Sequence, residues 1–398
     1  MTELLADLWP VRRPQPAPRV AIAHDYLVQY GGAERVVEAL HEAFPEAPVF
    51  TTMYEPDVMP PAFGEMDVRT SFLQGMPGLR KNFKLGLPLY PAAIRSLDLS
   101  GYDVVISSSS GWAHAVTVDP DAAHIVYCHT PARWLYRTDS YLAAEQMLAA
   151  PLLPALRRWD RRSARRPTEY LANSAAVRGR IFRQYRRASR VVHPPVETSR
   201  FRILAPEDFY LCASRLLPYK RIDLAIEACK LLGVRLVIAG DGESRRDLER
   251  AAAGTAEFVG RVSDEEMADL LGRCRALIVP AEEDFCITAV EAMAAGRPVV
   301  GFARGGLLET VGLYKTGSFF ATQAPEAVAA AISHLEQLEL VPEAIRAHAL
   351  RFDVTRFQAE IVDIVDDALA GRAGEQAEST RKWTGQRFGD DARVAAGH

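Results

Sequence analysis

The sequence predicts an α/β protein of two facing Rossmann-like domains, each a doubly wound parallel sheet. Three observations carry this. Short apolar runs of strand length alternate with helix-length amphipathic stretches along most of the chain, the pattern that builds parallel sheets with crossover helices. The series runs twice, interrupted at Val191-Val-His-Pro-Pro195 by a proline pair of the kind that marks a hinge. At 398 residues the chain is long enough for two domains with separate cores.

Residues 1–18 contain a proline-rich stretch without periodicity and read as a disordered lead-in. A first domain then spans 19–195. Val20 to Asp25 is a strand, Gly31-Gly32 a turn, and Ala33 to Ala43 a helix with Val36, Val37 and Leu40 on one face. A strand, a glycine loop and a helix can bring backbone against an anion or a close ligand; the plainer reading is a left-handed turn. The full G-x-G-x-x-G pattern is missing, so a nicotinamide dehydrogenase is excluded. Further strands follow at Val49 to Thr52, Asp103 to Ser107, Ile125 to His129 and Glu169 to Asn173. His129 stands at the carboxyl end of its strand, where a side chain reaches a ligand crevice or is merely a satisfied polar group. Asp119-Pro-Asp121 has a D-x-D form, but Pro120 and its place before a strand fit a turn better than a metal site.

The second domain spans 196–352. It alternates strand Phe209 to Ala213, helix Ile222 to Leu231, strand Val234 to Ala239, helix Glu243 to Ala253, strand Glu257 to Val259 and helix Asp264 to Cys274. Ala276 to Phe302 follows as strand, loop, helix and strand, with Gly296 closing the helix. Glu283 falls on the loop beyond the first of these strands and Glu291 eight positions later in the helix. Two carboxylates there suit sugar and ribose hydroxyls, and the amides at the helix start suit a phosphate; two solvated glutamates are the plain alternative. Arg215 and Lys220 leave the sheet after the first strand of this domain, where two cations can hold a diphosphate without a metal. Gly240, Gly242 and Gly305-Gly306 read as close-approach turns. Helices near Pro325 to Leu338 and Pro342 to Arg351 precede an amphipathic segment, Val354 to Leu369, within 353–370, and a polar tail, 371–398, reads as disordered.

Charge is uneven. Residues 1–200 carry 24 basic against 20 acidic side chains, and residues 201–398 carry 23 against 31, so the first half is expected to face something anionic. Leu79 to Tyr90 mixes bases with large apolar residues, and Arg157 to Arg166 holds six arginines with Trp159, a composition that suits an anionic membrane surface as well as a solvated face. No recognised nucleic-acid-binding motif accompanies the charge. The five cysteines, Cys128, Cys212, Cys229, Cys274 and Cys286, form no C-x-x-C and no even framework, which argues for a reducing compartment without disulfides or zinc. No apolar run approaches a bilayer span and no signal peptide is recognised.

Gly31-Gly32, His129, the pair Arg215 and Lys220, the pair Glu283 and Glu291, and Gly305-Gly306 stand in the order found in the retaining glycosyltransferases of family 4, and over roughly residues 19–370 the chain resembles them. Tyr127-Cys-His-Thr-Pro131, Tyr219-Lys-Arg-Ile-Asp223 and Glu282-Glu-Asp-Phe285 look most like the mannosyltransferases of O-antigen and exopolysaccharide assembly. The resemblance implies a GT-B fold and transfer of a hexose, mannose from GDP-mannose, with retention. The implied acceptor is a glycan or a polyprenyl-diphosphate-linked oligosaccharide at the cytoplasmic membrane face. It implies that Arg215 and Lys220 grip the diphosphate in place of a metal, that Glu291 takes the ribose, and that Glu283 holds sugar hydroxyls. Amides of Asp284, Phe285, Cys286, Ile287 and Thr288 would help, His129 would reach the sugar from the opposite domain, and Gly31 and Gly32 would approach phosphates or acceptor. No cofactor is implied beyond the nucleotide sugar. The chain departs from the family at Cys286, where many members have glycine. A UDP-sugar donor, a sugar-nucleotide epimerase and an inactive scaffold are the alternatives.

Overall fold

The computed structural model describes residues 18–80, 86, 88–136 and 151–371. The lead-in through residue 17, the tail from residue 372 and residues 81–85 and 87 of the first basic segment lie outside the described residues. Two parallel sheets organise the rest. The first has the order β3-β2-β1-β4-β5-β6-β7, with β1 Val20–His24, β2 Val49–Thr51, β3 Val68–Thr70, β4 Val104–Ser109, β5 Ala123–Cys128, β6 Glu169–Ala172 and β7 Arg190–Val191. The second runs β10-β9-β8-β11-β12-β13, with β8 Tyr210–Ala213, β9 Leu236–Ala239, β10 Ala256–Gly260, β11 Leu277–Val279, β12 Val299–Phe302 and β13 Gly317–Phe320. The central strands are buried along their whole length, as expected where helices cover both faces.

The strand order reverses between β1 and β4 in the first sheet and between β8 and β11 in the second. Chain leaving the carboxyl ends of such neighbours diverges to opposite faces and opens a crevice, which is where doubly wound sheets bind ligands. Every candidate residue follows from this. Gly31 and Gly32 come after β1, His129 directly after β5, Arg215 to Lys220 after β8, and Glu282 to Cys286 after β11. Asp119 and Asp121 precede β5 at the far end; Ala122 N donates to Asp119 O in a turn, as the proline between them suggests.

The domains are linked twice, and the two crossings touch: Val196 N donates to Phe352 O, and Val354 N to Val196 O. The helix at 354–371 then contributes Phe357, Ile361, Ile364 and Val365 to the apolar cluster that includes Ile22, Val36, Leu40 and Ile106 of the first domain. Phe357 sits edge-on to Tyr127, ring centroids 5.5 Å apart. Phe357→Ala removes a buried aromatic from this contact and is expected to cost about 3–5 kcal/mol of first-domain stability, measured by denaturant unfolding followed at the tyrosines.

Candidate functional site

The second-domain side of the crevice is the loop Glu282 to Cys286 and the helix Ile287–Ala294. The loop runs between a buried strand and a buried helix, and neighbouring backbone fixes its carbonyl side. Gly305 and Gly306 do this. Gly306 N donates to Glu283 O at 2.8 Å, and a Cβ on Gly305 would stand 2.1 Å from that same carbonyl oxygen, so no other residue fits. Among the described residues, the amides of Asp284 to Thr288 donate no hydrogen bond within the protein. They form a row of free donors at a helix start, which suits an anion or a sugar oxygen.

Lys220 and Glu283, distant in sequence, meet here: Lys220 Nζ donates to Glu283 Oε1 at 2.6 Å. Burial works to lower the lysine pKa, but the Glu283 carboxylate outweighs it and the ammonium is held above its usual range. Arg215, in the loop after β8, is exposed, and among the described residues its side chain pairs with none of these groups. Glu291 is buried, and Arg35 of the first domain donates to its Oε1 at 2.5 Å. Burial raises its pKa, the guanidinium offsetting part of the effect. Among the described residues Oε2 has no hydrogen-bond partner.

The opposite wall is basic. Arg133 and Arg180 both donate to the Asp284 carboxylate, and Arg180 also donates to Glu282 Oε1 at 2.8 Å. Arg35 reaches Asp264 at 3.2 Å, where Arg200, just past the hinge, joins it at 2.9 Å. Part of the charge asymmetry between the chain halves is therefore internal: the anionic surface that these arginines face is the second domain. Burial would raise the Asp284 carboxyl, but Arg133 and Arg180 more than offset it and hold it below the usual carboxylate range. Arg35, Arg133 and Arg180 escape sequence reasoning because their partners lie 102 to 256 positions away. The available signal is position alone: Arg35 follows Gly31-Gly32 by three, and Arg133 follows His129 by four.

His129 faces the loop from β5. Its Nε2 lies 2.8 Å from Ser108 Oγ, burial pushes its pKa down to about 3, and the Asp284 charge acts on it across the crevice. Asp25, one residue past β1, accepts from the amides of Ser110, Gly111, Trp112 and Ala113 and from the Ser110 hydroxyl, which ties the loop after β4 to the end of β1.

Three expectations change in detail. Gly31 and Gly32 are not left-handed; a Cβ on Gly32 would stand 2.9 Å from Ile287 Cδ1, so this glycine lets the two domains close on each other. The Phe285 ring turns away from the crevice, packing between His193 and Phe352 at the hinge, centroids 5.5 Å from each. Trp159 of the basic segment packs inward against Trp112, while Arg157, Arg158, Arg161, Arg162 and Arg165 line an open groove of about 530 Å³ on the helix Leu153–Ser163. No helix among the described residues is long and apolar enough to cross a membrane, and no group of three or more His, Cys, Asp or Glu among them is arranged to hold a metal.

Two facing parallel-sheet domains with their switch points across one crevice define the GT-B class of glycosyltransferase fold. Models of two families match the chain: Glycosyltransferase Family 4 over residues 30–200 and Glycosyl transferases group 1 over residues 196–351. The chain thus carries a family 4 glycosyltransferase domain followed by a group 1 glycosyltransferase domain. A D-inositol 3-phosphate glycosyltransferase of Mycobacterium marinum is 29% identical over 236 residues, 50% of this chain and 51% of that protein. A GDP-mannose-dependent alpha-mannosyltransferase of Mycobacterium tuberculosis is 34% identical over 121 residues, 29% of this chain and 32% of that one. The chain spans about a third to a half of the length of the curated relatives it matches. Anabaena HepE, solved with UDP and glucose, aligns with a TM-score of 0.67 at 17% identity, covering 88% of this chain and 99% of its own, a likeness of fold alone.

Cys286, where the family glycine is absent, has φ +73° and ψ +77°, the left-handed region. A side chain there costs roughly 1–2 kcal/mol, and the thiol, pushed up to about 12 by burial, stays protonated. Cys286→Gly is expected to stabilise the protein by up to about 1 kcal/mol and Cys286→Val to destabilise it, read as opposite shifts of thermal midpoint. For Asp284, whose folded-state pKa is depressed, the ion pairs contribute fully above the ordinary aspartate value near 3.9 and are lost as pH falls through the lower folded value. Small-angle scattering is expected to show one compact form from pH 5 to 8 and an expanded one below about pH 3.

Proposed function

We propose that the protein transfers a hexose from a nucleotide sugar to an acceptor hydroxyl with retention at the anomeric carbon, and that the sugar is mannose from GDP-mannose. The observation that carries this is the juxtaposition of Lys220, Glu283, Glu291 and the free amides of Asp284 to Thr288 at the switch point of the second sheet, facing His129 at the carboxyl end of β5, beside the switch point of the first. These groups match the parts of a nucleotide sugar. Arg215 and Lys220 would hold the diphosphate and stabilise the charge that develops on it as the glycosidic bond breaks, without a metal. Glu291, with Arg35 on one oxygen, would offer the other to the ribose. Glu283, released from Lys220 when phosphate arrives, would take sugar hydroxyls, assisted by the amides of Asp284 to Thr288. His129 would meet the sugar from the first domain. No side chain is assigned as a base; the leaving phosphate would take the acceptor proton on the same face. Closure of Gly32 on Ile287 would exclude water from the reacting centre.

The named mannosyltransferase relative supports GDP-mannose, and the loop sequences Tyr127 to Pro131 and Glu282 to Phe285 support a role in cell-surface polysaccharide assembly. A lipid-linked oligosaccharide at the cytoplasmic face of the membrane is the proposed acceptor, with the arginine groove of Leu153–Ser163 toward anionic lipid. A second reading has its own support: the inositol 3-phosphate glycosyltransferase match covers more of the chain than the mannosyltransferase match does. It favours a small phosphorylated acceptor and leaves the donor base open.

Calorimetric titration with GDP-mannose, GDP, UDP-glucose and UDP, with and without EDTA, tests the reading. GDP-mannose is expected to bind in EDTA, and Lys220→Ala to lower kcat/KM at least about 100-fold. Tighter binding of the uridine compounds would remove the mannose assignment. Binding of none of the four would favour an inactive scaffold. Flotation with liposomes is expected to show preference for anionic lipid, and equal binding to neutral lipid would count against the membrane role.

A further inference from the structure

Behind His129 lies a buried polar chain to which none of the roles above assigns a task. His24, at the end of β1, pairs in register with Ser108 on β4. Its Nδ1 lies 3.0 Å from the Ser108 carbonyl oxygen and 3.1 Å from the Ser108 hydroxyl. A carbonyl has no proton to give, so His24 Nδ1 carries one and donates it. On the other side of the ring, Nε2 faces Glu34 Oε1 at 3.6 Å, and both side chains are buried. Burial acts to lower the His24 pKa, but the Glu34 carboxylate outweighs it and the value is raised. Glu34 lies in the first turn of the helix that follows Gly31-Gly32.

Ser108 is fully buried, and among the described residues its Oγ has two side-chain partners, His24 Nδ1 and His129 Nε2 at 2.8 Å. A hydroxyl has one proton. Its oxygen could accept from both histidines, but the buried hydroxyl proton would then have no acceptor; with His24 Nδ1 already a donor, the proton goes to His129 Nε2, which is unprotonated and accepts it. We infer that the chain Glu34, His24, Ser108 holds His129 as the neutral tautomer with its proton on Nδ1, so that His129 meets the nucleotide sugar as a hydrogen-bond donor and not as a base. Among the described residues His129 Nδ1 makes no hydrogen bond, which leaves its N–H for an oxygen of the ligand. Burial keeps the ring uncharged at neutral pH. Glu34, His24 and Ser108 are thus positioning residues. They lie one layer behind the crevice and reach the sugar only through His129.

The ligand role rests on the proposed function, whereas the tautomer is a property of the free protein and is tested without substrate. Nitrogen NMR of protein labelled with 15N-histidine, with the His129 signals assigned by their loss in His129→Asn, reads it directly. The expected result is protonated Nδ1 and unprotonated Nε2 in the wild type, a shift toward Nε2–H or averaged tautomers in Ser108→Ala, and recovery in Ser108→Thr. In the same variants kcat/KM is expected to fall about tenfold in Ser108→Ala and to recover in Ser108→Thr, with affinity for GDP alone unchanged. Protonated Nε2 in the wild type, or identical His129 signals in Ser108→Ala, would overturn the inference; the first needs no variant to fold. Failure of any nucleotide sugar to bind would instead overturn the proposed site, a different and separately visible outcome.

Discussion

The arrangement depends on one contact, the grip of Arg133 and Arg180 on the Asp284 carboxylate across the crevice. Asp284 lies in the middle of the loop that offers its amides outward, and two guanidiniums from the other domain decide where that loop stands. A buried ion pair of this kind is weak evidence for stability, because desolvation of the charges offsets most of their attraction. Its effect is geometric. Together with Arg35 on Glu291 and Gly32 against Ile287, it aligns the carboxyl ends of two sheets that the chain connects only through the paired crossings at Val196 and Val354.

Much of the fold was legible because the central strands are buried on both faces and read as uninterrupted apolar runs. β3 and β7 were not. Val68–Thr70 and Arg190–Val191 are short edge strands with exposed positions, so they carry little apolar signal and are held by neighbours rather than by their own pattern. The site was legible in the same degree. Lys220, Glu283, Glu291 and His129 could be placed because each directly follows a strand end or sits in the next helix. Their partners could not, because a sequence does not show which arginine of one domain will face which carboxylate of the other. For the same reason the basic first half read as facing an external anion, when several of its arginines face Glu282, Asp284, Glu291 and Asp264.

The glycines divide by physical cause. Gly305 and Gly306 are small because the loop backbone at Glu283 and Asp284 runs against them, and Gly32 because Ile287 arrives from the other domain. At position 286 the conformation that favours glycine is present and the glycine is not. The chain bears the strain of Cys286 in place, which is consistent with a loop whose position is imposed by contacts at Gly305, Gly306 and Asp284 rather than by its own preference.

The central claim is that the unpaired amides of Asp284 to Thr288, Lys220 and Glu291 form one site for a nucleotide sugar. Hydrogen exchange read by mass spectrometry, with and without GDP-mannose, tests it most directly. The account predicts protection confined to peptides covering 215–220 and 282–291 and to the first-domain segments that face them, around Gly32 and His129. Protection centred elsewhere, or bound ligand with no change at Asp284 to Thr288, would contradict it.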